Sequence, residues 1–278
     1  MIRLGISTCP NDTFAFHGLM NQKVDLQGLQ FEIELLDIQE LNQRILDGSF
    51  EVAKASFALA HQVAESWVVL PSGSALGFGV GPLLLASKAG TQPHSETQTT
   101  LCPGEHTTAT LLFKMFHGQT QLEQTVFSKV MPALQNGKAD FGVCIHEGRF
   151  TYAQSGLFLV EDLGTRWEQD TGCPLPLGGI LARRELGTES IARIQSVVRS
   201  SVEYGLKHRN ETLPTMRQHA QEFSDEVLMK HVDLYVNDWT VDLGDVGCSA
   251  LKKMSELCNH ATSNVGGKSI EVFGKRSR

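Results

Sequence analysis

Cysteine is scarce and poorly placed for metal or redox chemistry. The 6 cysteines, at positions 9, 102, 144, 173, 248 and 258, form no C-x-x-C pair and are too sparse for a disulfide scaffold. They read as reduced thiols. Basic residues are also in deficit, since 24 lysines and arginines against 31 acids give a net charge of -7. This excludes a nucleic-acid partner, whose phosphates require clustered basic side chains to displace their counterions. Only the tail is basic, with Lys268, Lys275, Arg276 and Arg278 around the single acid Glu271, and so short a segment reads as a solvated terminus. No apolar run approaches the roughly 20 residues of a membrane helix, which excludes membrane insertion. The opening Met1-Ile2-Arg3-Leu4-Gly5-Ile6-Ser7 reads as a first strand rather than the apolar segment of an exported protein, so the expected compartment is the cytoplasm.

Several motifs are missing as well. The run Gly73-Ser74-Ala75-Leu76-Gly77-Phe78-Gly79-Val80-Gly81-Pro82 lacks the G-x-G-x-x-G spacing of a dinucleotide site and leads into the strand-like Leu83-Leu84-Leu85-Ala86. Its glycines are expected to serve unusual backbone angles or close chain approach. His146-Glu147 has no second histidine four residues on, so it is not a metalloprotease signature, and no metal ligand set is expected. There is no nucleophile elbow, no P-loop and no internal repeat.

What is present is an α/β alternation. At 278 residues the chain is long for one core and comfortable for two. Strand-like patterns at Leu4 to Ser7, Leu29 to Leu35, Val52 to Ala55 and Trp67 to Leu70 alternate with helical ones at Thr13 to Met20, around Leu41 to Leu46 and at Phe57 to Glu65. The polar stretch 88–96 then interrupts the pattern. Beyond it, strands at Thr99 to Cys102, Gln124 to Phe127, Ala139 to Ile145 and Leu157 to Val160 accompany helices at Thr107 to Phe116 and Pro132 to Gln135. The Gly/Pro-rich run 172–179 predicts a return crossing, and helices follow at 189–209 and 224–237. The order predicts mostly parallel sheets in two lobes: a larger one from 1–95 and 178–278, and a smaller one from 96–177. Two crossings imply a ligand cleft between them, with ligands beyond the carboxyl ends of strands.

Three strand-to-helix turns could seat an anion through free backbone N–H groups and hydroxyls. They are Ser7-Thr8-Cys9-Pro10-Asn11-Asp12-Thr13, Lys54-Ala55-Ser56, and Pro103-Gly104-Glu105-His106-Thr107-Thr108-Ala109. For any one of them, helix capping by Ser, Thr, Asn or Asp is the plain alternative. Lys54 and Ser56 share a face of an extended segment and could grip one carboxylate. His146, closing a buried strand, is a candidate general base, because apolar burial disfavours the imidazolium and leaves the ring able to accept a proton. The competing reading is a core histidine held to a backbone carbonyl. His231, four residues from Val227 and from Tyr235, faces inward on a helix and reads as structural. Trp167 reads as core rather than as a ligand platform.

Cys9-Pro10-Asn11-Asp12-Thr13-Phe14, Leu76-Gly77-Phe78-Gly79-Val80-Gly81-Pro82, His106-Thr107-Thr108-Ala109, Ile145-His146-Glu147-Gly148-Arg149-Phe150-Thr151-Tyr152 and Pro176-Leu177-Gly178-Gly179 together resemble the 1,4-dihydroxy-6-naphthoate synthase family of the futalosine route to menaquinone. The resemblance runs from about residue 4 to about residue 250. It implies a type 2 periplasmic-binding-protein-like fold. It also implies a lyase that converts cyclic dehypoxanthinyl futalosine into 1,4-dihydroxy-6-naphthoate and dihydroxyacetone, without metal or cofactor. Carried over by position, the general base falls on His146 and substrate contacts on Lys54, Ala55, Ser56, Thr108 and Ala109. Ser7, Asn11, Asp12, Thr107 and Arg149 are expected to line the cleft. Glu147 is disfavoured as an orienting partner, since neighbours on an extended segment point to opposite faces. The chain departs from the family at Thr8, where proline is frequent, and at Arg166, where an aromatic residue is common. Chorismate dehydratase of the same route, or a carboxylate-sensing protein without chemistry, would share the same plan.

Overall fold

The computed structural model describes residues 1–146, 148–220, 224–261 and 269–275; Glu147, Lys268, Arg276 and Arg278 lie outside them. The chain divides into two compact units, Met1–Gly77 with Pro176–Arg278, and Phe78–Leu175. The first crossing thus precedes the polar stretch 88–96, because Leu83–Ala86 pairs inside the second unit's sheet.

The strands in chain order are β1 (Ile2–Ser7), β2 (Phe31–Leu36), β3 (Val52–Ser56), β4 (Trp67–Val69), β5 (Ala75–Gly77), β6 (Leu83–Ala86), β7 (Thr99–Cys102), β8 (Gln121–Gln124), β9 (Phe141–Cys144), β10 (Phe158–Asp162) and β11 (Leu175–Arg183). In the first unit they run β2-β1-β3-β11-β4, with β5 joined to β11. β1 is parallel to β2 and to β3, and β11 enters antiparallel between β3 and β4. The second sheet runs β10-β6-β9-β7-β8, with β7, β8 and β9 parallel and β6 antiparallel to both β9 and β10. Both sheets are therefore mixed rather than mostly parallel.

The return crossing falls inside the run 172–179, between Leu175 and Pro176, but only 172–174 lie outside regular structure. From Leu175 the run is β-strand, and its glycines serve close approach: a Cβ on Gly178 would lie 2.5 Å from the Ala55 carbonyl oxygen. The polar edge strand β8 ends where a strand was expected to begin, because its Gln121-Leu122-Glu123-Gln124 carries almost no apolar signal; Phe127 instead opens the helix Phe127–Gln135.

Apolar burial explains the first unit's core. Helix Gly187–Lys207 turns Ile191, Ile194, Val198 and Val202 inward at helical spacing, into a cluster with Leu4, Ile6, Val52 and Ile180 from the sheet. Each such fully buried side chain stabilises by about 1.5–3 kcal/mol. Trp167 is 1% exposed and donates from Nε1 to the Pro174 carbonyl at 3.3 Å, so it is core as expected. All 6 cysteines are free thiols, and burial pushes Cys102 up to about 12. No helix among the described residues is long and apolar enough to cross a membrane.

His17, buried beside Thr215 Oγ1 at 2.8 Å from Nδ1, has its pKa lowered from 6.5 by burial. The unfolded chain therefore binds this proton more readily than the folded one, so the associated stability is complete above about pH 6.5 and is lost as pH falls through the lower folded value. Thermal midpoints should drop on acidification from pH 7.5 to 5.5, and less steeply in His17→Leu. An identical slope in that variant would remove His17 from the explanation.

Candidate active site

The first station lies at the carboxyl ends of β1 and β3, which are adjacent and parallel, with Leu4 opposite Val52 and Gly5 opposite Ala53. Ser7 and Ser56 close these strands at the same sheet edge. Lys54, Ala55 and Ser56 are all buried. The Lys54 ammonium meets Asp12 Oδ1 at 2.7 Å, with side-chain exposures of 5% and 3%, and donates to the Gly73 carbonyl at 3.1 Å. Asp12 sits in the first turn of helix Pro10–Ala15, where the helix dipole favours its charge. The turn before the helix and the strand end found by sequence are thus one polar cluster.

Ser7 Oγ accepts from Cys9 N at 2.9 Å and shapes the turn. Ser56 exchanges two bonds with Asn42: its N–H donates to Oδ1 at 3.0 Å, and Asn42 Nδ2 donates to Ser56 Oγ at 3.1 Å. Sequence reading missed Asn42, although a fully buried amide among the apolar residues of helix Ile38–Leu46 was a legible signal. Ser74 was missed too. Its hydroxyl is buried with no hydrogen-bond partner among the described residues, beside Gly179.

The second station belongs to the second unit. β7 and β9 are parallel neighbours, so the turn after each emerges at the same edge. After β7, Thr107 caps helix Thr108–His117: its hydroxyl accepts from Thr110 N at 3.2 Å and donates to the Gly104 carbonyl at 2.7 Å. Thr108 and Ala109, both buried, form its first turn.

After β9 comes His146. The buried strand stops at Cys144, two residues before the histidine, and Ile145 and His146 are both half-buried. The His146 ring lies edge-on to Phe127, with centroids 4.8 Å apart. The backbone at His146 has φ 57°, in the left-handed region that costs a side-chain-bearing residue about 1–2 kcal/mol.

Gly148 cannot carry a side chain in place, since a Cβ would fall 2.2 Å from Cys144 Sγ. Arg149 donates to the Gly81 carbonyl at 2.9 Å and pairs with Asp162 at 2.5 Å, while the other oxygen of Asp162 caps helix Leu163–Thr171. Arg149 therefore anchors the histidine loop within its own unit. Arg166 engages Glu161 and Asp170 and lies over the Phe116 ring, and Thr8 bonds through its N–H to the Leu36 carbonyl at 3.3 Å.

A model of the family described as menaquinone biosynthesis matches residues 2–260. The chain belongs to this family. It is 43% identical over 253 residues to a Thermus thermophilus protein named 1,4-dihydroxy-6-naphtoate synthase, covering 91% of this chain and 92% of that protein. A Streptomyces coelicolor protein of the same name is 37% identical over 257 residues, covering 90% of each. Among solved structures, a protein from Archaeoglobus fulgidus superposes with TM-score 0.89 at 28% identity, over 95% of this chain and 98% of that one. A Candida albicans protein described as having the generic periplasmic binding protein fold matches with TM-score 0.65 at 10% identity, over 96% and 92%, and shows the fold alone. The family expected from the motifs and the two-lobed binding-protein-like fold are therefore established.

Proposed function

We propose that the protein is a cytoplasmic lyase that converts cyclic dehypoxanthinyl futalosine into 1,4-dihydroxy-6-naphthoate and dihydroxyacetone, with His146 as its general base. The supporting observation is His146 itself: a half-buried residue at a sheet's carboxyl edge, in a left-handed backbone conformation. Residues kept in sparsely populated conformations cluster at active sites. In this reading His146 removes a proton from the sugar-derived part of the substrate, starting ring opening, carbon–carbon cleavage and aromatisation. Base catalysis contributes about 10²–10⁴-fold, and orientation of the substrate supplies much of the remainder. Lys54, Ala55, Ser56, Thr108 and Ala109 bind the substrate, with the Lys54 ammonium suited to its carboxylate.

The test is turnover. Purified protein is given cyclic dehypoxanthinyl futalosine and chorismate in separate reactions, and products are resolved by chromatography. The reading expects dihydroxynaphthoate from the first and no change in the second. Dehydration of chorismate would assign the sister activity, and binding without conversion would make the protein a sensor.

A further inference from the structure

A chain of polar contacts, buried at Lys54–Asp12 and part-buried at Asn11, runs from Lys54 into the body of the first unit, ending at a residue that the sequence marked as structural. Lys54 Nζ lies 2.7 Å from Asp12 Oδ1. Asn11 Nδ2 lies 3.1 Å from the same oxygen, and Asn11 Oδ1 lies 3.0 Å from His231 Nε2. The atom roles follow from chemistry. A carboxylate only accepts, so the NH₂ end of Asn11 must face Asp12, which leaves its oxygen toward the imidazole and makes His231 Nε2 the N–H donor. Asp12 thus accepts from an amide and an ammonium at one oxygen, and that amide is itself oriented by the histidine.

The ammonium has three donors. One meets Asp12 and a second the Gly73 carbonyl, so two fixed acceptors set the direction in which the third points. A lysine on a four-carbon stem is otherwise a mobile point charge. His231 is held for this role: it is 2% exposed on helix Asp225–Tyr235, with its ring 4.5 Å from that of Tyr235.

We propose that His231 is a positioning residue, which acts through Asn11 and Asp12 to aim the Lys54 ammonium at the substrate carboxylate. The proposal rests on the reading of Lys54 as a substrate-binding residue. It adds to that reading a fixed direction for the charge and a chain of residues that fixes it.

The experiment is a double-mutant cycle on kcat/KM with cyclic dehypoxanthinyl futalosine. His231→Leu keeps the volume without the donor, and should lower kcat/KM by about tenfold, mainly through KM. In a Lys54→Met/Asp12→Leu background, which leaves no charge stranded, the same change should cost less than about twofold, because the residues it acts through are already gone. His231→Gln, whose amide can donate to Asn11, should recover most of the loss. Asn11→Ala serves as the second variant, in case His231→Leu folds poorly, and should match its loss without adding to it.

Multiplying losses in the Lys54→Met/Asp12→Leu background, or unchanged kcat/KM in both His231→Leu and Asn11→Ala, would overturn the proposal. Failure of the underlying reading looks different. Wild-type protein that does not convert this substrate, or Lys54→Met with normal KM, removes the binding role of Lys54 and the proposal with it.

Discussion

Replacing His146 with glycine should lower kcat by about 10²–10⁴-fold and leave the folded state more stable than His146→Ala does. The two effects have separate causes. The imidazole carries the proposed proton transfer, so either substitution removes it. The backbone at this position has φ 57°, which glycine adopts freely and alanine does not. The glycine variant should therefore exceed the alanine variant by about 1 kcal/mol in a denaturant titration. Near-normal turnover in either variant would remove the base assignment. Equal midpoints in the two would show that the left-handed conformation carries no strain.

The second large effect concerns the ion pair inside the first unit. Lys54 and Asp12 are buried together, so removing one partner strands the other charge in a poorly solvating interior. Asp12→Ala should destabilise by about 3–5 kcal/mol, whereas the double change Lys54→Met with Asp12→Leu should recover most of that loss, since apolar replacement of a buried pair is often neutral. Urea unfolding of the single and double variants measures both. A double variant as unstable as Asp12→Ala would mean that the pair is not the source of the loss. The recovered protein should still fail to bind substrate tightly, which separates the functional need for the ammonium from its structural cost.

Much of this architecture was legible because local patterns carry it. Leu4, Val52, Leu83 and Thr99 begin or lie within runs that read as strands and fold as strands. Asp37, Thr107 and Ser224 stand at helix starts and their side chains accept there. What the sequence hid was set by partners far along the chain. β11 carries the Pro and Gly of a turn, yet it folds as strand because the backbones of β3 and β4 approach it closely on either side. β8 is a strand only through its pairing with β7.

The candidate site shows the same division. The turn holding Asp12 and the strand end holding Lys54 could each be picked out, but nothing periodic joins two residues 42 positions apart. The inward face of His231 followed from its four-residue spacing, while its contact with Asn11, 220 positions away, could not. For His146, the run 139–145 reads as strand right up to the histidine, whereas sheet pairing ends at Cys144 and leaves Ile145 and His146 outside it, half-buried.

The central claim is that the His146 ring itself accepts the substrate's proton, and chemical rescue of His146→Gly tests it most directly. The account predicts that turnover of cyclic dehypoxanthinyl futalosine by this variant, nearly absent in plain buffer, rises with added imidazole until it saturates. Turnover close to wild type without imidazole, or no response to imidazole in a variant that still binds substrate, would contradict it.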